Sequence, residues 1–139
     1  HKNYQHIQEV ILQPHSPGTQ QSFEAAPFNP HQLPEVIAKA RQILPADITI
    51  QIPPNLVKDR QWLLACIEAG ARDLGGISPI DEVNPDYPHI QENELREMLQ
   101  PGGWDLVTRL PVYPQFDEWL IGDLETGVKR WREEFGLAE

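Results

Sequence analysis

The sequence predicts an α/β chain built from parallel strand-helix units, and three observations carry that prediction. Short β-branched runs alternate with longer stretches of helical periodicity between residues 6 and 77. Ile48, Ile50 and Ile52 alternate with Thr49 and Gln51, as a strand with two unlike faces requires. Proline or glycine punctuates nearly every junction, so the runs are separate elements. Strand, helix, strand, helix, strand in that order is the pattern of right-handed parallel βαβ crossovers.

Taken in order, Ile7, Val10, Ile11 and Leu12 form a short apolar run broken at Pro14, which reads as a first strand over 6–13. Residues 14–30 hold four prolines with Ser16, Gly18 and Thr19 and read as a long loop. Pro34 suits a first helical turn, and Val36, Ile37, Ala40, Ile43 and Leu44 keep helical spacing until Pro45, predicting a helix over 33–44. The isoleucine alternation predicts a second strand over 47–52, closed by Pro53-Pro54. Trp62, Leu63, Cys66, Ile67 and Ala69 share one helical face, predicting a helix over 57–71. Residues 74–77 follow as a short glycine-rich third strand, then a proline-rich loop over 79–90. A helix over 92–99, an extended stretch over 104–110 and an amphipathic tail helix over 116–137 complete the reading, with Gly122 and Gly127 weakening the tail.

Composition narrows the function. At 139 residues and 40% hydrophobic, the chain can bury a core of ordinary size yet falls well short of the roughly 250 residues of a closed (β/α)8 barrel. It is one compact unit or a part of a larger one. Twenty-one acidic residues against 11 Lys plus Arg give a formal charge of −10, which repels phosphate backbones and anionic lipid alike, so neither nucleic acid nor membrane is an expected partner. No apolar run approaches the roughly 20 residues of a membrane span, and residues 1–8 lack the basic-then-apolar order of a secretory signal. Cys66 is the single cysteine, which excludes an internal disulfide and any site built from several thiolates and fits a reducing, cytoplasmic setting. A start at His1 instead of methionine hints at polypeptide upstream.

Three polar blocks fall at the C-terminal ends of the three predicted strands: Gln13-Pro14, Gln51 to Asn55, and Gly75-Gly76-Ile77-Ser78-Pro79. Ligands of parallel α/β sheets sit at that edge, so the placement marks a binding rim. The wording of the blocks reaches further. His6-Ile7-Gln8-Glu9-Val10-Ile11, Gln51-Ile52-Pro53-Pro54-Asn55-Leu56, Asp73-Leu74-Gly75-Gly76-Ile77-Ser78-Pro79 and Arg109-Leu110-Pro111-Val112-Tyr113-Pro114 resemble the FO synthase family, the radical-SAM enzymes that form a deazaflavin. Ala40-Arg41 with Ile43-Leu44-Pro45, and Val83-Asn84-Pro85, match it in the same order. The resemblance runs from about Tyr4 to Pro114 and lapses in the tail.

That resemblance implies the last three strand-helix units of a partial TIM-like (β/α) barrel plus a C-terminal helical extension. Residues 1–139 would form a single unit, with barrel elements over 1–78 and loop and helical extension over 79–139. It implies S-adenosylmethionine and a 4Fe-4S cluster held by a Cys-x3-Cys-x2-Cys loop, the source of a 5′-deoxyadenosyl radical. The radical closes the deazaflavin ring, with loss of ammonia, on a tyrosine-derived adduct of ribitylaminouracil. The present chain contains no such loop, so the piece is expected to be inactive alone and to meet a missing N-terminal barrel half. Its unpaired strand edges also point to self-association. A truncated or split product serving as a non-catalytic binding or scaffolding module is the alternative.

The residues assigned to a SAM or substrate cavity are Glu9, Gln13, Gln51, Asn55, Gly75, Gly76 and Ser78, with no catalytic residue and no metal ligand assigned. Gln13 and Gln51 carry amides that suit a uracil edge or ribityl hydroxyls, or are simply satisfied strand-end groups. Glu9 in an apolar strand has to be paired or turned to a polar interior. Asn55, held by two prolines, either faces a ligand or caps the next helix. Gly75 and Gly76 allow close backbone approach and Ser78 adds a hydroxyl, unless they only make a tight strand exit. His6, His15, His31 and His89 are too irregularly spaced for a metal motif. Arg109 reads as a clamp for a carboxylate or phosphate or as a structural pair with an acid, and Cys66 as a small core residue.

Overall fold

The computed structural model describes residues 1, 3–18, 25–57, 59–75, 77 and 90–137, which fall into two compact units, 9–106 and 1–8 with 107–139. The larger unit is organised by a parallel pair, β1 (Glu9–Ile11) and β2 (Thr49–Gln51), in the register Glu9↔Thr49, Val10↔Ile50 and Ile11↔Gln51. Between them runs α1 (Leu33–Ile43), and after β2 runs α2 (Arg60–Ala69). The chain is therefore mixed α/β with a small parallel sheet and several helices, the class its periodicities predict.

Local chemistry sets each boundary. Asn29 accepts a hydrogen bond from the His31 amide and opens a 3-10 turn, Pro30–Gln32, that leads into α1 with Pro34 in its first turn. Pro45 forces Leu44 out to ψ 142° and ends the helix. Arg41 ties the exit down, donating to the Ile48 carbonyl at 2.6 Å and the Leu44 carbonyl at 3.1 Å. Asp59 caps α2 by accepting from Gln61 N at 2.8 Å and Trp62 N at 3.3 Å, so the helix starts three residues later than its apolar face predicts. Asn55, expected as a possible cap, lies instead in the 3-10 turn Pro54–Leu56 and is buried.

The third strand is where the sequence reading needs correction. Expected over 74–77, it is a single parallel bridge, Gln51↔Asp73. Arg72 N donates to Ile50 O at 2.9 Å and Ile52 N donates to Asp73 O at 3.0 Å, so the pairing lies earlier in the chain. The reason is the tight end of α2: Ala71 N already donates to Cys66 O at 3.0 Å, which delivers the backbone to β2 at once. The glycine-rich stretch that follows is poor strand material. β2 is thereby central, with β1 on one side and Asp73 on the other.

Ile48, Ile50 and Ile52 are all at most 1% exposed, and Ile50 and Ile52 pack with Ile37, Leu63 and Cys66 in one cluster. Full burial of each such side chain is worth about 1.5–3 kcal/mol. The next helix, α3 (Glu92–Leu99), occupies its expected span and seals the cluster with Leu95, Met98 and Leu99. Residues 104–110, expected to be extended, carry no regular secondary structure. Trp104 nonetheless packs against the core, with the Arg72 guanidinium 4.7 Å above its ring.

Cys66 is fully buried, as its helical face predicts, and burial pushes its thiol from an ordinary 9.0 up to about 11. In the unfolded chain the thiol ionises at the lower value. The stability it contributes is complete below pH 9 and is lost as pH rises through about 11. Urea midpoints for Cys66→Ala should therefore fall less steeply over that window than those of the parent, and a thiol reagent should label Cys66 only after unfolding.

In the smaller unit the tail helix expected over 116–137 divides into a 3-10 segment, Pro114–Trp119, and α4 (Asp123–Phe135). Gly122, at φ 63°, makes the break, a backbone state that a side-chain-bearing residue adopts at a cost. Gln8 holds the preceding segment as a neighbouring strand would, its Nε2 donating to Pro111 O at 2.9 Å and its Oε1 accepting from Tyr113 N at 3.3 Å. Arg132 is buried, pairs with Asp117 and donates to Val112 O at 3.0 Å. Ile121, Leu124 and Phe135 are 80%, 66% and 59% exposed, so this unit shows much apolar surface.

Candidate functional site

Parallel register places unlike side chains on the two faces of the sheet. Residues alternate face along a strand, and partners across a rung share one, so Glu9, Ile11, Thr49, Gln51 and Asp73 project together, opposite Ile50. The isoleucine face is covered by helices. The other face is polar at its centre, and its principal feature is the carboxamide of Gln51.

Gln51 Nε2 donates to Glu9 Oε2 at 3.0 Å and to Asp73 Oδ1 at 3.1 Å, so one amide bridges acids from both neighbouring strands. A side-chain amide has two N–H groups and one carbonyl, and an ionised carboxylate only accepts. Turning the amide over would set its oxygen against two carboxylate oxygens at these distances, a repulsive arrangement. The nitrogen therefore belongs where it is. Hydrogen bonds to charged groups are worth about 1.5–3 kcal/mol each. Gln51 is only 9% exposed, which strengthens both and makes losing either costly.

Gly75 completes the arrangement by its lack of a side chain. A Cβ built there would lie 2.2 Å from Cδ, 2.2 Å from Nε2 and 2.4 Å from Oε1 of Gln51. These near-equal distances mean that the backbone at Gly75 lies against the amide itself. The amide is thus fixed by two acids and covered by a glycine.

Of the residues assigned from sequence, Glu9, Gln51 and Gly75 come together here. Gln13 is exposed, and Asn55 is buried in its 3-10 turn; neither takes part in the hydrogen bonds that define the cluster. Gly76 and Ser78 lie outside the described residues, as do the loop over 79–89 and His89. Asp73 was not singled out. Its rung to Gln51 lies at residue 73, ahead of the 74–77 span in which the third strand is expected.

Other chemistry-bearing side chains serve local structure. Arg109 donates to Leu110 O at 2.9 Å and lies 4.3 Å over the Tyr113 ring. His31 sits beside Trp62, and the His15 carbonyl accepts from Phe28 N to close the 14–30 loop. Among the described residues no group of three or more His, Cys, Asp or Glu side chains could hold a metal ion, and none of their helices is long and apolar enough to cross a membrane. An iron–sulfur cluster does not fit the residues present: the one thiol is buried in the core, with its ionisation opposed by burial.

Comparison with known proteins bears on this geometry. The chain is 79% identical over 133 residues to a 7,8-didemethyl-8-hydroxy-5-deazariboflavin synthase of Trichormus variabilis, an alignment covering 96% of this chain and 39% of that protein. Proteins of the same name from Thermosynechococcus vestitus and Gloeobacter violaceus are 60% identical over 129 residues and 62% over 120. Those alignments cover 93% and 86% of this chain and 41% and 37% of the two proteins. The chain thus spans about two fifths of the length of the curated relatives it matches. No protein-family model matches it. No solved structure does either.

Proposed function

Because this chain belongs to the 7,8-didemethyl-8-hydroxy-5-deazariboflavin synthase family, we propose that it is the C-terminal portion of such a synthase and supplies one wall of its SAM and substrate cavity. The parent is a radical-SAM lyase of the cytoplasm that closes the deazaflavin ring on the tyrosine-derived ribitylaminouracil adduct and releases ammonia. Its barrel is completed by polypeptide other than these residues, which also carries the cluster ligands.

The observation that supports this reading is the acid-amide-acid bridge Glu9–Gln51–Asp73 on the sheet face away from the helices. In a (β/α) barrel that face points inward, and binding groups gather toward the strand C-termini. An amide and two carboxylates suit a ligand rich in ring nitrogens and hydroxyls. The contribution of these residues is to bind, orient and exclude water.

The assay is direct. The 139-residue chain, supplied with iron, sulfide, reductant and S-adenosylmethionine, is expected to yield no 5′-deoxyadenosine, while the full-length synthase that contains it yields both that product and the deazaflavin. Radical formation by the chain alone would overturn the division of labour proposed here. A second reading, a non-catalytic module that associates through exposed surface, is favoured by the exposed Ile121, Leu124 and Phe135 of the smaller unit. It requires self-association of the chain at high concentration by light scattering, and no deazaflavin from the full-length protein.

A further inference from the structure

We propose that Glu9 and Asp73 are positioning residues that lock the Gln51 amide in one orientation, so that it meets the ligand only as a hydrogen-bond acceptor and selects a donor, a ring N–H or a sugar hydroxyl. The inference rests on the reading above that Gln51 faces the substrate cavity, and it adds what Gln51 reads there.

A free glutamine is ambivalent, because its amide presents a donor or an acceptor after a half-turn about its last side-chain bond. Here both N–H groups are spent, one on Glu9 Oε2 and the other on Asp73 Oδ1. The half-turn is opposed twice over: it sets oxygen against oxygen on both sides, and the amide lies against Gly75 with no room for a Cβ between them. What remains of the amide's hydrogen-bonding capacity is Oε1. A ligand carbonyl arriving there meets a second carbonyl and is rejected, whereas a ligand N–H or O–H is accepted. Sites that spend a buried polar group on one ligand donor discriminate strongly against analogues that lack it. Glu9 and Asp73 act through Gln51 and need not touch the ligand.

The test uses the full-length synthase, wild type and Asp73→Asn, with Glu9→Gln as the second variant should the first not fold. An asparagine can offer N–H to Gln51 Oε1, so the lock opens while size is kept. In wild type, one methylated analogue of the ribitylaminouracil adduct, blocked at a ring nitrogen or a ribityl hydroxyl, should lose at least tenfold in kcat/KM against the parent adduct. In the variant that ratio should collapse to within about threefold, with the parent adduct itself down about tenfold. The side-chain ¹⁵N resonance of Gln51 gives a readout free of turnover: two slowly exchanging protons in wild type, fast exchange in the variant. A ratio unchanged by the variant, or fast exchange in wild type, overturns the proposal. Slow exchange in a wild-type protein that makes no deazaflavin leaves the lock standing and defeats the reading of the cavity instead.

Discussion

Gly75→Ala in the full-length synthase should lower kcat/KM by roughly 100-fold, the order of loss that follows about 1 Å of misplacement at a binding group. The methyl group would lie 2.2 Å from two atoms of the Gln51 amide, far inside van der Waals contact, so the structure has to move. The Gly75 backbone is held close to a sheet rung by the Ile52–Asp73 hydrogen bond, while the Gln51 side chain has no rung to hold it. The amide therefore yields, and it can do so only by leaving one or both carboxylates. Overpacking of this kind costs about 1–3 kcal/mol, which denaturant unfolding of the 139-residue chain would register. The double variant Gly75→Ala with Gln51→Ser separates the two effects. It removes the clash with the methyl but gives up both bonds to Glu9 and Asp73, so it should stay destabilised and recover none of the activity. Recovery of activity would show that Gln51 is dispensable and that the loss came from the glycine alone.

How far the sequence carried this site depends on what decides each residue's surroundings. Helical periodicity is local, and α1 and α3 lie within one residue of their expected spans, with Pro34 and Pro45 at the ends of α1 and Pro101 just past α3. Strand pairing is not local. Gln13 and Gln51 look alike in sequence, each a glutamine near the C-terminal end of a short apolar run. They differ because Gln51 ends the central strand, with neighbours on both sides, whereas Gln13 lies two residues beyond the paired part of β1 and is exposed. Asp73 was missed for the same reason, since its value comes from a rung to Gln51 22 residues earlier that no local window contains. Glu9 was found by a different principle, the high cost of an unpaired carboxylate within an apolar strand, and that principle needs no register. The family resemblance added identity where these rules stop. Its blocks put Asp73 beside Gly75 in one motif without revealing that Gln51 joins them.

The smaller unit offers the other large effect. Asp117→Asn should destabilise α4 by about 3 kcal/mol, because it removes the counter-charge of an arginine that is nearly buried. Arg132 would keep its hydrogen bond to the Val112 carbonyl, but a neutral oxygen does not offset a desolvated guanidinium. The unit has little else to resist that cost. Phe116 is its buried apolar side chain among the described residues, and Ile121, Leu124 and Phe135 remain largely exposed, so little apolar burial offsets an unpaired charge. Amide hydrogen exchange across α4 should rise roughly 100-fold in the variant, the equivalent of about 3 kcal/mol, while amides of α1 and α2, in the other unit, stay protected. Arg132→Met, which removes the charge and keeps much of the volume, should cost less than Asp117→Asn, as expected when the penalty is an unpaired buried charge. If Arg132→Met proves the worse of the two, the pair is itself the source of cohesion, and the attraction between the two charges exceeds the cost of taking them from water.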